Sequence, residues 1–238
     1  GAADATVART VAAMLAYFRW RRPETNPIEG LKVRTRRDFV PAFLTPAEAR
    51  RLLRCILGSD DPWMFRDYAL ICLLVRRGLR ISEALALDFG DVEDEGGVMT
   101  LTILEKGGRR AKKVLTDQAA KALRILIGIR RKQCADAEAA ARSIEPDAIF
   151  ISRAGTRITS RRAQDLVTHW VRVAGIKKAI TPHSLRHTFA TILLSRNHDI
   201  RLVQEALGHR NIETTVRYTH IIDKDLKRAM EDASAEDA

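Results

Sequence analysis

The apolar and polar positions of this chain fall into helical stretches interrupted by a hairpin-like region and one further short stretch of strand character. Val7, Val11, Leu15 and Phe18 recur at helical spacing, which predicts a helix over about 6–20, ending near Arg21-Arg22-Pro23. Thr45-Pro46-Ala47-Glu48 is a capping box with proline in the first turn, and it opens a helix to about Leu57. Asp61-Pro62 starts another, with Tyr68, Ile71, Cys72 and Val75 as its buried face and Gly78 as its stop. A short helix runs on through Leu87. The period then changes. Val98 to Glu105 alternates, with Met99, Leu101 and Ile103 on one face and Thr100 and Thr102 on the other. Gly107-Gly108 supplies a tight turn and Ala111 to Leu115 returns as a second strand.

Helical periodicity resumes after the hairpin. Thr116 caps a long, alanine-rich helix from about Asp117 to Arg142, and Ala148 to Ser152 reads as a short apolar strand. Ser160 is expected to cap a helix through Ala174, stopped by Gly175. Thr181 caps the next, with Pro182 at the first helical position, where its missing N–H costs nothing. Asp199 caps a helix with Ile200, Val203, Ala206 and Leu207 inside, and Gly208 ends it. Glu213 to His220 and Asp223 to about Met230 read as further helices, followed by a small, acidic tail. The expected fold class is therefore mainly α with a small antiparallel β-sheet. The segment from Pro23 to Pro41 holds three of the seven prolines and many basic residues, so it reads as a linker.

Composition narrows the classes of function. Hydrophobic residues make up 46% of 238, enough for a real core, and no apolar run reaches the ~20 residues of a membrane span. The net charge of +11 and a pI of about 10.1 point to a polyanionic partner, most often nucleic acid. Cys55, Cys72 and Cys134 form no CxxC pair, so they read as ordinary thiols of a reducing, cytoplasmic compartment rather than metal ligands or a disulfide framework.

Chemistry concentrates in Thr181-Pro182-His183-Ser184-Leu185-Arg186-His187. At ~100° per residue, Leu185, Phe189, Ile192 and Leu193 share a stripe expected to be buried, and His183, Arg186 and His187 share an arc opposite it. An imidazole and a guanidinium held side by side near a helix N-terminus form a receptor for a phosphate oxyanion. Other cations cluster at the hairpin, where Lys106 is followed by Arg109, Arg110, Lys112 and Lys113. Such a cluster is ordinarily a solvated basic edge, and beside DNA it tracks phosphates. Arg161 and Arg162 occupy a helix's first turn, where the dipole disfavours them and a phosphate would favour them. Arg80 stands between a glycine stop and a new helix start.

Taken in order, Arg80, Lys106, His183, Arg186, His209 and Tyr218 resemble the constellation of the tyrosine site-specific recombinases, the phage-integrase and Xer-type family. Gly78-Leu79-Arg80-Ile81-Ser82-Glu83-Ala84-Leu85 resembles its first arginine box. Thr181 through Thr191 resembles its HxxR box, Leu207-Gly208-His209 the next element, and Arg217-Tyr218-Thr219-His220 the nucleophile segment. The resemblance spans about Thr45 to Met230. It implies the integrase catalytic-domain architecture over residues 31–238, with residues 1–30 as the last helix and linker of an N-terminal core-binding domain. It implies catalytic roles for those six residues and contacts to double-stranded DNA from Arg109, Arg110, Lys112, Arg161 and Arg162. It also implies a homotetramer on DNA joined through the C-terminal helix, and chemistry needing no metal, cofactor or ATP. Two other readings stand beside it. One is a DNA-binding module without cleavage. The other is a metal-dependent nuclease built on His183, His187, His209 and His220, which lacks the glutamate of HExxH and any accompanying carboxylate cluster.

Overall fold

The computed structural model describes residues 2–21, 26–31, 42–105 and 108–208. The chain divides into two units, Gly1–Pro41 and Ala42–Ala238. In the first, α1 (Ala2–Arg21) is the helix expected from the apolar spacing, begun earlier, and Tyr17 meets the edge of the Phe18 ring at 5.4 Å.

The second unit opens with α2 (Pro46–Leu57). Its capping box forms as expected: Thr45 Oγ1 accepts from Glu48 N, and the Glu48 carboxylate accepts from Thr45 N. Then comes α3 (Met64–Arg76), which packs against α2 and against two later helices, α5 (Asp117–Ala139) and α7 (Pro182–Asn197). Every residue of α3 from Asp67 to Val75 is buried, so this helix has no solvent face over that span. The expected stripe of Tyr68, Ile71, Cys72 and Val75 is thus only part of an all-round apolar surface, as befits a central core helix. The short α4 (Ile81–Leu85) follows Gly78 and ends before the expected Leu87.

The hairpin is as read, with one addition. β2 (Val98–Leu104) pairs antiparallel with β3 (Arg110–Val114), and Met99, Leu101 and Ile103 are buried. A preceding strand, β1 (Val92–Glu95), pairs on the other edge of β2, giving the order β1-β2-β3. Its sequence, Val-Glu-Asp-Glu, has no apolar alternation. It is held instead by the β2 ladder and by opposite charges: Asp94 takes both an Nε and an Nη2 bond from Arg124 on α5, and Glu93 meets Lys112 Nζ at 2.7 Å.

Two expected boundaries move. Residues 148–152 do not form a strand: they make only isolated bridges, Asp88 with Ala148 and Ile151 with Arg157. Arginine side chains take the Ala148 and Ile151 carbonyls, and Phe150 O accepts from Ile158 N. The fully buried Arg130 donates to Ala148 O and Glu145 O, and Arg66 donates to Ile151 O. The long helix α5 stops at Ala139, because Ala141 adopts a left-handed φ of 51° and the chain turns there. Helix α6 (Ser160–Val173) is capped by Thr159, not Ser160; Thr159 Oγ1 accepts from Arg162 N. The last described helix is α8 (Ile200–Leu207), capped by Asp199 and closed by Gly208, as the sequence suggested. Ala190 and Leu194 of α7 pack with Val203 and Leu207 of α8 in a small second cluster. No described helix is long and apolar enough to cross a membrane.

Candidate active site

The site starts where α3 stops. Gly78 takes φ +68°, a conformation that costs an L-residue about 1–2 kcal/mol. A Cβ at Gly78 would lie 2.3 Å from the Phe189 ring of α7, so glycine is required by both conformation and space. The turn presents the Gly78 carbonyl to α7 and sets Arg80 as the residue before α4. There Arg80 is locked by Glu83: its N–H donates to Glu83 Oε2 at 2.7 Å and its Nη1 to Oε1 at 2.6 Å. The Arg80 side chain is 34% exposed and that of Glu83 only 5%. Among the described residues, Arg80 Nε and Nη2 have no protein acceptor.

Arg186 reaches the same carboxylate from α7. Thr181 Oγ1 accepts from Ser184 N and starts that helix. Thr188 Oγ1 accepts from Leu44 N and ties the helix to the segment before α2. One turn in, Arg186 Nη1 donates to Gly78 O at 2.6 Å, Nη2 donates to Leu207 O at 2.7 Å, and Nη1 lies 3.7 Å from Glu83 Oε2. Two guanidiniums from segments over a hundred residues apart therefore converge on Glu83. Burial pulls the pKa of a third, Arg77, downward, with Glu83 acting in the opposite direction, and Arg77 Nη1 donates to Ala206 O. A carboxylate held by cations in this way fixes the Arg80 fork from one side, while Arg186 is fixed by Glu83 and by the Gly78 and Leu207 carbonyls together.

The expected division of α7 into an apolar stripe and a polar arc does not hold. Arg186 and His187 are buried, while Phe189, Ile192 and Leu193 are only half-buried. The helix is inserted among α3, α6 and α8, so its polar positions also face protein, where carbonyls and carboxylates satisfy them. His183 is exposed at the first turn, and its ring meets that of His187 edge-on, centroids 4.6 Å apart.

Lys106, His209 and Tyr218 lie outside the described residues. The residues beside two of them do not. The hairpin closes where Glu105 N donates to Arg109 O, one position before Lys106. Gly208, one position before His209, ends α8 at φ +67°. Of the DNA-facing candidates, Arg109 pairs with Glu105, Lys112 with Glu93 and Arg161 with Asp165, while Arg110 is exposed at the start of β3. Arg162 borders a cavity of about 520 Å³ with Arg66, Asp67, His169 and Trp170, apart from the Glu83 cluster. Burial raises the Asp67 pKa there against the pull of Arg66 and the Trp170 N–H.

Sequence reading did not single out Glu83. Its signal was present, since a carboxylate three positions after a helix start is the mark of a capping box. Its second partner, Arg186, is a contact that no local pattern encodes.

The phage integrase family model matches residues 42–225. The tyrosine recombinase XerC of Herpetosiphon aurantiacus is 33% identical over 223 residues, covering 92% of this chain and 70% of that protein. The XerC of Vibrio parahaemolyticus is 33% identical over 208 residues, covering 87% of this chain and 63% of the other. Among solved structures, the XerH site-specific recombinase bound to a palindromic difH substrate, a post-cleavage complex, aligns with a TM-score of 0.67 and 29% identity. That alignment covers 80% of this chain and 52% of XerH, so the chain spans between about half and seven tenths of these three proteins. With the family model matched from the start of the second unit to beyond α8, the chain belongs to the phage integrase family of tyrosine recombinases.

Proposed function

We propose that the protein cuts and rejoins double-stranded DNA at specific sites through a covalent 3′-phosphotyrosine intermediate. The observation that carries this reading is the convergence of Arg80 and Arg186 on Glu83, which aims two guanidiniums at one place. A phosphodiester gains negative charge on its non-bridging oxygens as phosphorus becomes five-coordinate. Each arginine fork stabilises that charge by about 3 kcal/mol, the scale of one preorganised donor. The Tyr218 oxygen attacks phosphorus, the bond to the 5′-oxygen breaks, and a 5′-hydroxyl leaves. Lys106 gives that oxygen its proton, an effect of ~10²–10⁴ in rate. His183 takes or relays the tyrosine proton, and His209 binds the phosphate and aligns Tyr218. The new ester keeps the energy of the old one, so attack by another 5′-hydroxyl rejoins the strand without ATP or metal.

Arg109, Arg110, Lys112, Arg161 and Arg162 contact the DNA backbone, and the carboxylate partners of Arg109, Lys112 and Arg161 exchange for phosphates on binding. The helix at about 223–230 docks on a neighbouring copy, giving a tetramer on DNA. Residues 1–30 end an N-terminal core-binding domain, and 31–238 form the catalytic domain. The protein works in the cytoplasm. XerH, captured on its DNA after cleavage, and the XerC relatives support this reading.

Incubation with a nicked suicide DNA in EDTA tests it. A covalent protein–DNA adduct mapping to Tyr218 and lost in Tyr218→Phe is expected. Cutting that chelator abolishes would contradict it and favour the metal-dependent alternative.

A further inference from the structure

The inward face of the β2–β3 hairpin carries a charge pair where the alternation calls for apolar side chains. Met99, Leu101 and Ile103 line that face. Continuing the alternation, Glu105 falls on it, and Lys113, opposite Leu101, joins it from β3. Both are buried, with side chains 8% and 9% exposed. Lys113 Nζ stands 3.2 Å from Glu105 Oε1, and Arg109 Nη2 donates to Oε2 across the hairpin mouth at 3.2 Å. Burial raises the Glu105 pKa, but Lys113 and Arg109 outweigh it and hold the carboxyl below its ordinary range.

Gly208 lies directly on this pair. A Cβ there would come 2.3 Å from Glu105 Oε1 and 3.1 Å from Lys113 Nζ. The closing glycine of α8 thus sits against the base of the hairpin, where a Cβ would push the ends of the Glu105 and Lys113 side chains aside. Leu207, its neighbour, gives its carbonyl to Arg186, and Arg186 meets Glu83, which holds Arg80. One continuous set of contacts runs from the residue before Lys106, past the residue before His209, to both arginines. Ion pairs in such places are costly: removing two charges from water offsets much of their attraction, and an apolar pair would fill the space without that cost.

We infer that Glu105 and Lys113 are positioning residues, a latch that registers the hairpin against the end of α8 so that Lys106 reaches the leaving oxygen of the phosphate held by Arg80 and Arg186. The inference rests on the strand-cutting reading for its catalytic half and on geometry alone for its mechanical half. A proton donor displaced by about 1 Å loses up to ~10²-fold in rate. The loss must disappear when the leaving group needs no proton.

The test compares Glu105→Gln and Lys113→Met with the unaltered full chain and with Lys106→Ala. Single-turnover cleavage is measured on suicide DNA with the ordinary 5′-oxygen, and on the same DNA with sulfur at that bridging position, since a thiolate leaves unprotonated. Backbone hydrogen exchange over 104–114 and 200–208 is read on the same proteins. Both latch variants should cut ordinary DNA about 10- to 100-fold more slowly, cut the sulfur DNA within about two-fold of the unaltered chain, and exchange faster in both segments. Unchanged cutting of ordinary DNA, equal losses on both DNAs, or faster exchange in the hairpin alone would overturn the latch. If Lys106→Ala is equally slow on both DNAs, the assignment of the acid fails instead. If the unaltered chain forms no adduct on either, the strand-cutting reading fails, and coupled or uncoupled exchange decides the latch by itself.

Discussion

Glu83 is the side chain on which the site turns, and the arginines around it differ in what they would cost to remove. Arg80 has a third of its side chain exposed and, among the described residues, bonds only to Glu83. Arg80→Ala should therefore lower single-turnover cleavage by ~10²–10³ and cost about 1–3 kcal/mol of stability for the one buried Glu83 oxygen it leaves unpaired. Arg186 also satisfies the Gly78 and Leu207 carbonyls. Arg186→Ala should lose cleavage and, in addition, about 1–3 kcal/mol of stability for each buried acceptor left unpaired. Equal urea midpoints for the two variants would refute that distinction. Both arginines were legible as motif members. The burial of Arg186 was not, because helical spacing reports a face and not what packs against it. Cys72 offers a further check at this scale. Burial drives its thiol up to about 12, so it should resist alkylation at pH 8 in the folded protein, while the half-buried Cys55 and Cys134 label.

At the scale of elements, local chemistry fixed the starts and ends, and long-range contacts fixed the faces. The capping residues Thr45, Thr116, Thr181 and Asp199 were readable, because a cap is a contact between residues two or three apart. Thr181→Ala should cost about 1 kcal/mol by denaturant titration. β2 was readable from its period of two. β1 was not, since three of its four residues are acidic and its pairing depends on Arg124 and Lys112, far along the chain. Residues 148–152 read as a strand for the opposite reason: they are apolar, but Arg130 and Arg66 occupy the Ala148 and Ile151 carbonyls. Gly78 marks where element and site meet. Gly78→Ala combines an αL penalty with a clash against Phe189, so it should destabilise by about 2–4 kcal/mol and weaken cleavage through the displaced Arg186 acceptor. A normal melting profile for this variant would show that α7 shifts freely, contrary to the packing described.

For the molecule as a whole, the folded second unit brings cations from several segments to shared carboxylates, and that sets its response to pH. The Glu105 pKa is lower in the folded chain than its ordinary 4.5, so its charged form stabilises the fold above that value. That contribution is lost as pH falls through the depressed folded value. Urea midpoints measured downward from pH 7 should decline below about pH 4.5, and less steeply in Glu105→Gln. The net charge of +11 also implies DNA affinity that falls steeply with salt, which holds whether or not the protein cuts. In the mechanism proposed above, cutting depends on two guanidiniums, set by one carboxylate, neutralising the charge of the scissile phosphate. The most direct measurement gives Arg80→Ala a suicide DNA whose scissile phosphate carries a neutral methylphosphonate. If Arg80 acts on that charge, the variant should be nearly inert on ordinary DNA and recover most of its rate on the uncharged one. Equal inactivity on both would contradict the assignment of Arg80 to the phosphate.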